Sequence, residues 1–218
     1  ALAALNPFRP NTAAALPVGG IAQVNAGGQA PTITDTIDRT DIKLNAPRTV
    51  LGWTTFNVLP TETVSFQFDD KSWMVLNRVT GLSTSKIEGV VEGKVGSQFG
   101  GNIWFSSQNS IIFGKGSQVD AGSLFVAIGT PNTADFLNPS NNLFSFSGGD
   151  AFPNSRIMVL QNAKVTAHGG MVAMLGPTIQ TRANALVSAT DGSVLYGSAK
   201  NFQIRLAPGT GGEFDLLD

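Results

Sequence analysis

The chain has 218 residues, 42% of them hydrophobic and only 13% charged, with a net charge of −1 and no cysteine. This excludes disulfides and thiolate metal sites, and it gives no electrostatic basis for holding nucleic acid or an acidic membrane surface. Enough apolar material remains for a large core, no apolar run is as long as a membrane-spanning helix, and the twenty-five glycines suit a fold with many tight corners.

Residues 1–15, rich in Ala, Asn and Pro, show little periodicity and read as a lead-in after a signal-peptide region. From residue 16 the pattern is strand-like: 21–25, a turn at Gly27 and Gly28, then 32–37. Asp35, Asp38 and Asp41 lack the Gly and the distal Glu of a calcium loop, so they read as a solvated turn. Residues 50–53 and 56–58 form the next pair of short strands. Residues 63–68 alternate strictly, with Val64, Phe66 and Phe68 on one face. Asp69, Asp70 and Lys71 make a turn whose adjacent carboxylates diverge into water, and 73–79 is again strand.

Beyond Thr80 the spacing is regular, with strands predicted at 87–91, 103–105, 111–113 and 119–126. Within 102–128 the apolar runs are too short for helices, and the turns are too short for crossover helices and lack hairpin sequences. A chain that turns corners between short strands without reversing is winding a coil, which predicts a parallel β-helix. Residues 129–155, broken by Pro131, Asn132, Asn138, Pro139, Gly148 and Gly149, read as an inserted loop or hairpin with Leu143, Phe144, Ser145 and Phe146 as its apolar anchor. Residues 117–127 align with 163–173 if the second copy carries one extra residue. Val165 and Val187 are 22 residues apart and Val119 and Val165 are 46 apart, which reads as one coil and two coils of a solenoid. The pairs 194–196 and 202–206 then supply a last coil, after which no polar cap is evident.

Chemistry-bearing residues are few. His168, the only histidine, precedes two glycines and reads as a turn or surface residue, since one His builds neither a zinc site nor a triad. The basic residues are scattered singly, which weighs against a polysaccharide-degrading β-helix enzyme. Gly209, Gly211 and Gly212 lack the Lys-Ser/Thr ending of a phosphate loop and read as a linker. No catalytic, cofactor or metal site is expected, and no enzyme activity.

Leu16, Pro17, Gly19 and Gly20, then Gly52, Trp53, Phe56, Asn57 and Val58 with Glu62 to Phe66, then Asn77, Arg78 and Gly81, then Phe113 and Gly114, fall in one order. In that order the chain resembles the two-partner secretion (TPS) domains, the N-terminal modules of filamentous-haemagglutinin-like and HMW-adhesin-like exoproteins. The family's Asn-Pro-Asn-Gly-Ile motif falls on Ser107, Gln108, Asn109, Ser110 and Ile111, of which Asn109 and Ile111 match. A second motif, Asn-Pro-Asn-Leu, is missing, as in one branch of the family.

The resemblance implies an all-β, right-handed parallel β-helix with N-terminal capping strands and an extra-helical hairpin or insertion at 129–155, spanning 16–218. It implies passage through the general secretory machinery and recognition in the periplasm by the POTRA domains of an outer-membrane β-barrel transporter of the Omp85/TpsB type. The expected destination is the exterior or cell surface of a Gram-negative bacterium, as a monomer without nucleic-acid partners. A stand-alone adhesive or carbohydrate-binding module is the alternative. The 107–111 corner is expected to position the chain, with Ile111 pointing into the coil and Asn109 either at positive φ or bonded back to main chain.

Overall fold

The computed structural model describes residues 16–147, 152–199 and 201–206, and the backbone of 214–217. Runs of Val, Ile, Phe and Thr broken every few residues by Gly, Asn or Ser cannot continue as helix and fold as short strands. Two strands, β1 (Val18–Val24) and β2 (Gln29–Asp35), come first. Turn one is β3 (Arg39–Asn45), β4 (Arg48–Thr55) and the bridging residue Val58. Turn two is β5 (Thr63–Phe68), β6 (Met74–Val79) and β7 (Ser85–Ile87). Turn three is β8 (Val90–Val95), a short return β9 (Gln98–Phe99), β10 (Asn102–Ser107) and β11 (Ile111–Phe113).

In turn four, β12 (Gln118–Ala121) and β13 (Ser123–Ile128) lead into an excursion: β14 (Thr130–Pro131), the helix α1 (Thr133–Leu137) and β15 (Leu143–Ser147). The chain rejoins the coil at β16 (Ile157–Val159). Turn five is β17 (Lys164–His168), β18 (Val172–Leu175) and β19 (Ile179–Thr181), and turn six is β20 (Leu186–Thr190) and β21 (Val194–Gly197). Two further strands follow, β22 (Phe202–Leu206) and β23 (Phe214–Leu217).

The first strands of the turns pair in parallel as sheet I (β3-β5-β8-β12-β17-β20), the second as sheet II (β4-β6-β10-β13-β18-β21) and the third as sheet III (β7-β11-β16-β19). The result is a parallel β-helix of six turns. At its start the direction reverses: β2 pairs antiparallel with β3, and β1 with β4. Those reversals cover the starting edges of β3 and β4, leaving β1 and β2 as the end strands of the two sheets.

Inside the coil, side chains stack by register. Leu51, Phe105, Val126 and Met174 form one inward column on sheet II, and Val64, Val91, Val119 and Val165 form another on sheet I. The strict alternation of β5 is used as expected, with Val64, Phe66 and Phe68 all buried. The corners between sheets I and II stack glycine on glycine. A Cβ on Gly122 would lie 2.7 Å from Gly101 O, and one on Gly170 would lie 2.7 Å from Gly122 O. Any larger residue there would push adjacent turns apart.

The structure corrects the sequence reading at four places. Residues 87–91 and 119–126 are not continuous strands, because Gly89 and Gly122 are corners between sheets. The 46-residue interval is one coil and not two: Val119 pairs directly with Val165, and the surplus length is the excursion. The second copy carries two extra residues, since Val119 pairs with Val165 but Leu124 with Val172. Residues 202–206 do not form a last coil. β22 pairs antiparallel with β15 and β23, building an outer sheet β14-β15-β22-β23. The reason is packing. Phe202 and Ile204 bury against Phe144, Phe146, Trp104 and Phe125 on the outside of sheet II, where the outward column Val50, Leu76, Trp104, Phe125 and Ala173 is apolar.

Arg48 fastens that outer unit to turn one. Its side chain is buried, donating to Phe136 O and Asn141 O, both 3.2 Å away. The guanidinium carbon lies 5.6 Å from the Phe136 ring centre and 5.3 Å from that of Phe144. Burial pushes its pKa down, yet an arginine keeps its charge. Arg48→Met keeps the aliphatic stem but leaves two carbonyls without their donors. Its expected cost is about 2–6 kcal/mol, at about 1–3 per unsatisfied group, read by urea unfolding followed by tryptophan fluorescence.

Candidate functional site

The corner 107–111 joins β10 to β11 and is held from both neighbouring turns. Asn109 Nδ2 donates to Gly81 O of the turn before at 2.9 Å, and its own N–H donates to Ser107 Oγ at 3.0 Å. The Arg156 N–H of the following turn donates to Ser110 Oγ at 3.0 Å, and Ser155 Oγ to Gln108 O at 3.0 Å. Gln108 Nε2 reaches Thr130 Oγ1 at 3.0 Å. Ser107 and Ile111 are buried, Asn109 and Ser110 half-buried, and Gln108 exposed. Of the two expected roles for Asn109, the side-chain bond to main chain is the one present; Asn109 is not among the positive-φ residues. Ile111 points into the coil as expected.

The other sequence-selected residues do not converge on this corner. Trp53, Phe56 and Asn77 meet inside the coil. Trp53 Nε1 donates to Asn77 Oδ1 at 2.9 Å, and Asn77 Nδ2 donates to Trp104 O at 3.2 Å. Phe56 packs edge-on between Trp53 and Phe105, with ring centres 5.6 and 4.9 Å away. Asn77 therefore ties turns one, two and three together in an apolar interior, fully satisfied at both ends of its amide. Asn57 Oδ1 accepts the Lys86 N–H at 2.8 Å on the sheet III side, and Gly114 closes the next turn there, its N–H on Ile87 O at 2.6 Å. Gly81 sits against Thr54 O so tightly that no Cβ fits. Phe113 fills the core. Gly52 and Arg78 face outward on sheet II, paired in register.

Sheet I carries the charge network that the sequence did not reveal. Glu92 accepts from Arg39 at 3.2 Å and from Lys94 at 2.9 Å, and Arg39 also reaches Asp41 at 2.8 Å. His168 is no isolated turn residue. It ends β17, with Nε2 2.7 Å from Asp120 Oδ1 and its ring stacked 4.6 Å from that of Phe99. Asp120 also accepts from Gln118 at 2.7 Å. Asp70 is turn chemistry, as expected, accepting from the N–H and hydroxyl of Ser72, which holds its carboxyl below the ordinary value. Among the described residues, no group of three or more His, Asp and Glu is placed to hold a metal ion. Gly209 to Gly212 lie outside the described residues, as do 1–15.

A β-helix closed by antiparallel strands at its start, carrying an antiparallel sheet on one face and spending its polar side chains on turn-to-turn bonds, defines a capped solenoid module. The chain belongs to the TPS secretion domain family, whose model matches residues 17–211. Among solved structures it is similar to the HMW1 secretion domain from Haemophilus influenzae, with a TM-score of 0.72 and 17% identity over 93% of this chain. This chain spans 49% of the length of that one. No curated protein matches it.

The Glu92 network makes stability depend on acid. Burial alone would raise the Glu92 carboxyl, but hydrogen bonds from Lys94 and Ser65, the Lys94 charge and the bond from Arg39 outweigh it, and the net shift is downward. A lowered carboxyl contributes stability that is fully present above the unfolded glutamate value of about 4.3 and is lost as pH falls through the folded value. Thermal melts from pH 7 to pH 3 are expected to show a steeper loss of stability for the native chain than for Glu92→Gln. Equal pH slopes would remove Glu92 as a contributor.

Proposed function

We propose that this chain is the N-terminal secretion and targeting domain of a large exoprotein. It reaches the periplasm through the general secretory machinery and is recognised there by the POTRA domains of a TpsB-type outer-membrane transporter. Once exported to the cell surface or beyond, it nucleates the β-helix of the passenger. It acts as a monomer and by binding, not by catalysis. The observation that carries this reading is the family match over 17–211 on a β-helix whose first turn is closed by antiparallel strands. A closed first turn supplies a finished template, and each later turn adds by parallel pairing to the one before it, with contacts local enough to propagate without an external energy source.

POTRA domains bind extended segments as added strands, so free strand edges are the natural contacts. β5 is paired on both sides, by β3 and β8, and offers no edge. β1 and β2 lie at the ends of their sheets, and among the described residues each is paired on one side only. Main-chain pairing along β1 or β2 should be largely insensitive to ionic strength, given the net charge of −1. Binding of purified POTRA domains is expected to change less than about threefold between low and high salt; a steep loss with salt would overturn the edge-pairing reading.

The 107–111 corner is proposed to serve export through its fit between turns. Ile111→Ala should cost about 2–5 kcal/mol, as for a fully buried aliphatic side chain, and lower export of a fused passenger in parallel. Asn109→Gly removes the bond to Gly81 O and is expected to fold, with a modest loss of stability. If that variant melts near the native temperature yet export by a cognate transporter stops, the Asn109 side chain is itself recognised and the positioning role fails.

A further inference from the structure

The outer face of sheet II is only half covered. The outward column Val50, Leu76, Trp104 and Phe125 lies under the outer sheet, while in the next column Gly52 and Arg78 are half-buried and Ser106, beyond them, is buried. Two recesses meet there and share Arg78 and Thr80. One is walled by Gly19, Ile21 and Gln23 of β1 and by Thr133 of α1, the other by Gln108, Gly129 and Thr130. Together they make a groove running across β1, β4, β6 and β10. At a strand spacing of about 4.8 Å, it is about 14 Å long, the span of roughly four extended residues.

Three observations mark this groove as a binding site. Among the described residues, Arg78 is the single charged residue lining either recess, and it makes no ion pair or side-chain hydrogen bond. The residues beside it in register are small. Gly52 has no side chain, and the Ser106 hydroxyl is turned to Gly129 O at 2.7 Å, so neither neighbour in register pairs with the guanidinium of the half-buried Arg78. The fold does not demand glycine at 52: its φ is not positive, and a Cβ there would meet only Ile21 O, at an ordinary 3.6 Å. Filling that position would cost the backbone nothing and would fill the groove.

We propose that this groove binds an extended acidic peptide segment of a partner, with Arg78 taking a carboxylate. The guanidinium fork suits a planar carboxylate held by two parallel hydrogen bonds. Gln23, Thr54 and Thr133 line the same floor with no side-chain bond among the described residues, and they can serve the peptide main chain. Ile21, 76% exposed at the mouth, offers an apolar contact. The lining favours a peptide over an acidic polysaccharide because it exposes no aromatic face on which a sugar ring could lie; Trp53, which borders the groove, is 2% exposed. The groove shares β1 with the edge proposed for strand pairing, and its dependence on a charge sets it apart from main-chain pairing along that edge.

The test is fluorescence anisotropy on the whole chain with a labelled hexapeptide of alternating Thr and Glu, against the same peptide with Gln for Glu. The acidic peptide is expected to bind at least about tenfold more tightly, a difference lost in Arg78→Gln and weakened by salt. Gly52→Leu, which blocks the floor and keeps the charge, should weaken binding of both peptides, and Arg78→Lys should fall between native and Arg78→Gln. Circular dichroism melts establish that each variant is folded, and Gly52→Leu keeps the test alive should Arg78→Gln not fold. Equal binding of the two peptides, no binding, or indifference to both Arg78→Gln and Gly52→Leu would overturn the proposal. Arg78-dependent binding of polygalacturonate without peptide binding would replace it with an acidic-polysaccharide site.

Discussion

Every turn of this molecule has an inward face that it cannot bury alone. Leu51, Phe105, Val126 and Met174 exclude water only because the chain returns in register and lays each over the last. Asn77 stands in the same column, between Leu51 and Phe105. A slip of one residue would carry its amide to the outer face and leave the Trp53 indole N–H without its acceptor, a cost of about 1–3 kcal/mol before any packing is lost. The apolar columns thus make the coil stable, and the buried amide makes one register the stable one.

The scarcity of charge follows from the same arrangement. Three sheets face inward, and much of sheet II faces inward a second time, toward the outer sheet. Apart from Arg48, held beneath the outer unit, the charges stand at corners and on the outward faces of the strands. On sheet I they answer each other across turns, Arg39 to Glu92 and Asp120 to His168. On sheet II Arg78 has no such answer, and the contrast between the two faces is what gives the open groove its meaning.

The strands were legible in the sequence because their alternation is local. The coil length was legible only where nothing interrupts it: Val165 to Val187 is one plain turn, whereas Val119 to Val165 hides an excursion of unknown return. Phe202, Ile204 and Leu206 alternate as a strand does anywhere, and no local pattern says whether the strand lies in the coil or on top of it. Arg48 follows a proline and reads as a solvent-facing residue; its partners lie 88 and 93 positions on. Asp120 and His168, 48 apart, are adjacent only after the turns are stacked. Within the 107–111 corner the inward Ile111 was legible from its apolar run. The bond from Asn109 to Gly81 was not, because it depends on which turn lies above.

Two kinds of contact therefore hold the domain together, and they differ in how much chain each requires. A turn of the coil is satisfied by the turn before it, so the bonds of Asn109 and Asn57 are complete within about one turn of sequence. The outer sheet obeys no such order. β15 lies against β22, with Phe146 paired to Phe202, and Arg48 of the first turn has its acceptors only once the excursion after turn four is in place. Bonds that span so much chain carry the larger loop-closure cost and cannot form while the chain is short. Apolar residues on the outside of sheet II, Leu76 and Trp104 among them, stay exposed until that cover arrives. In a coil built from its capped end, the excursion and the outer sheet it joins make the domain cooperative as a whole, since through Arg48 and the β15–β22 pairing they bind the first turn to the last strands.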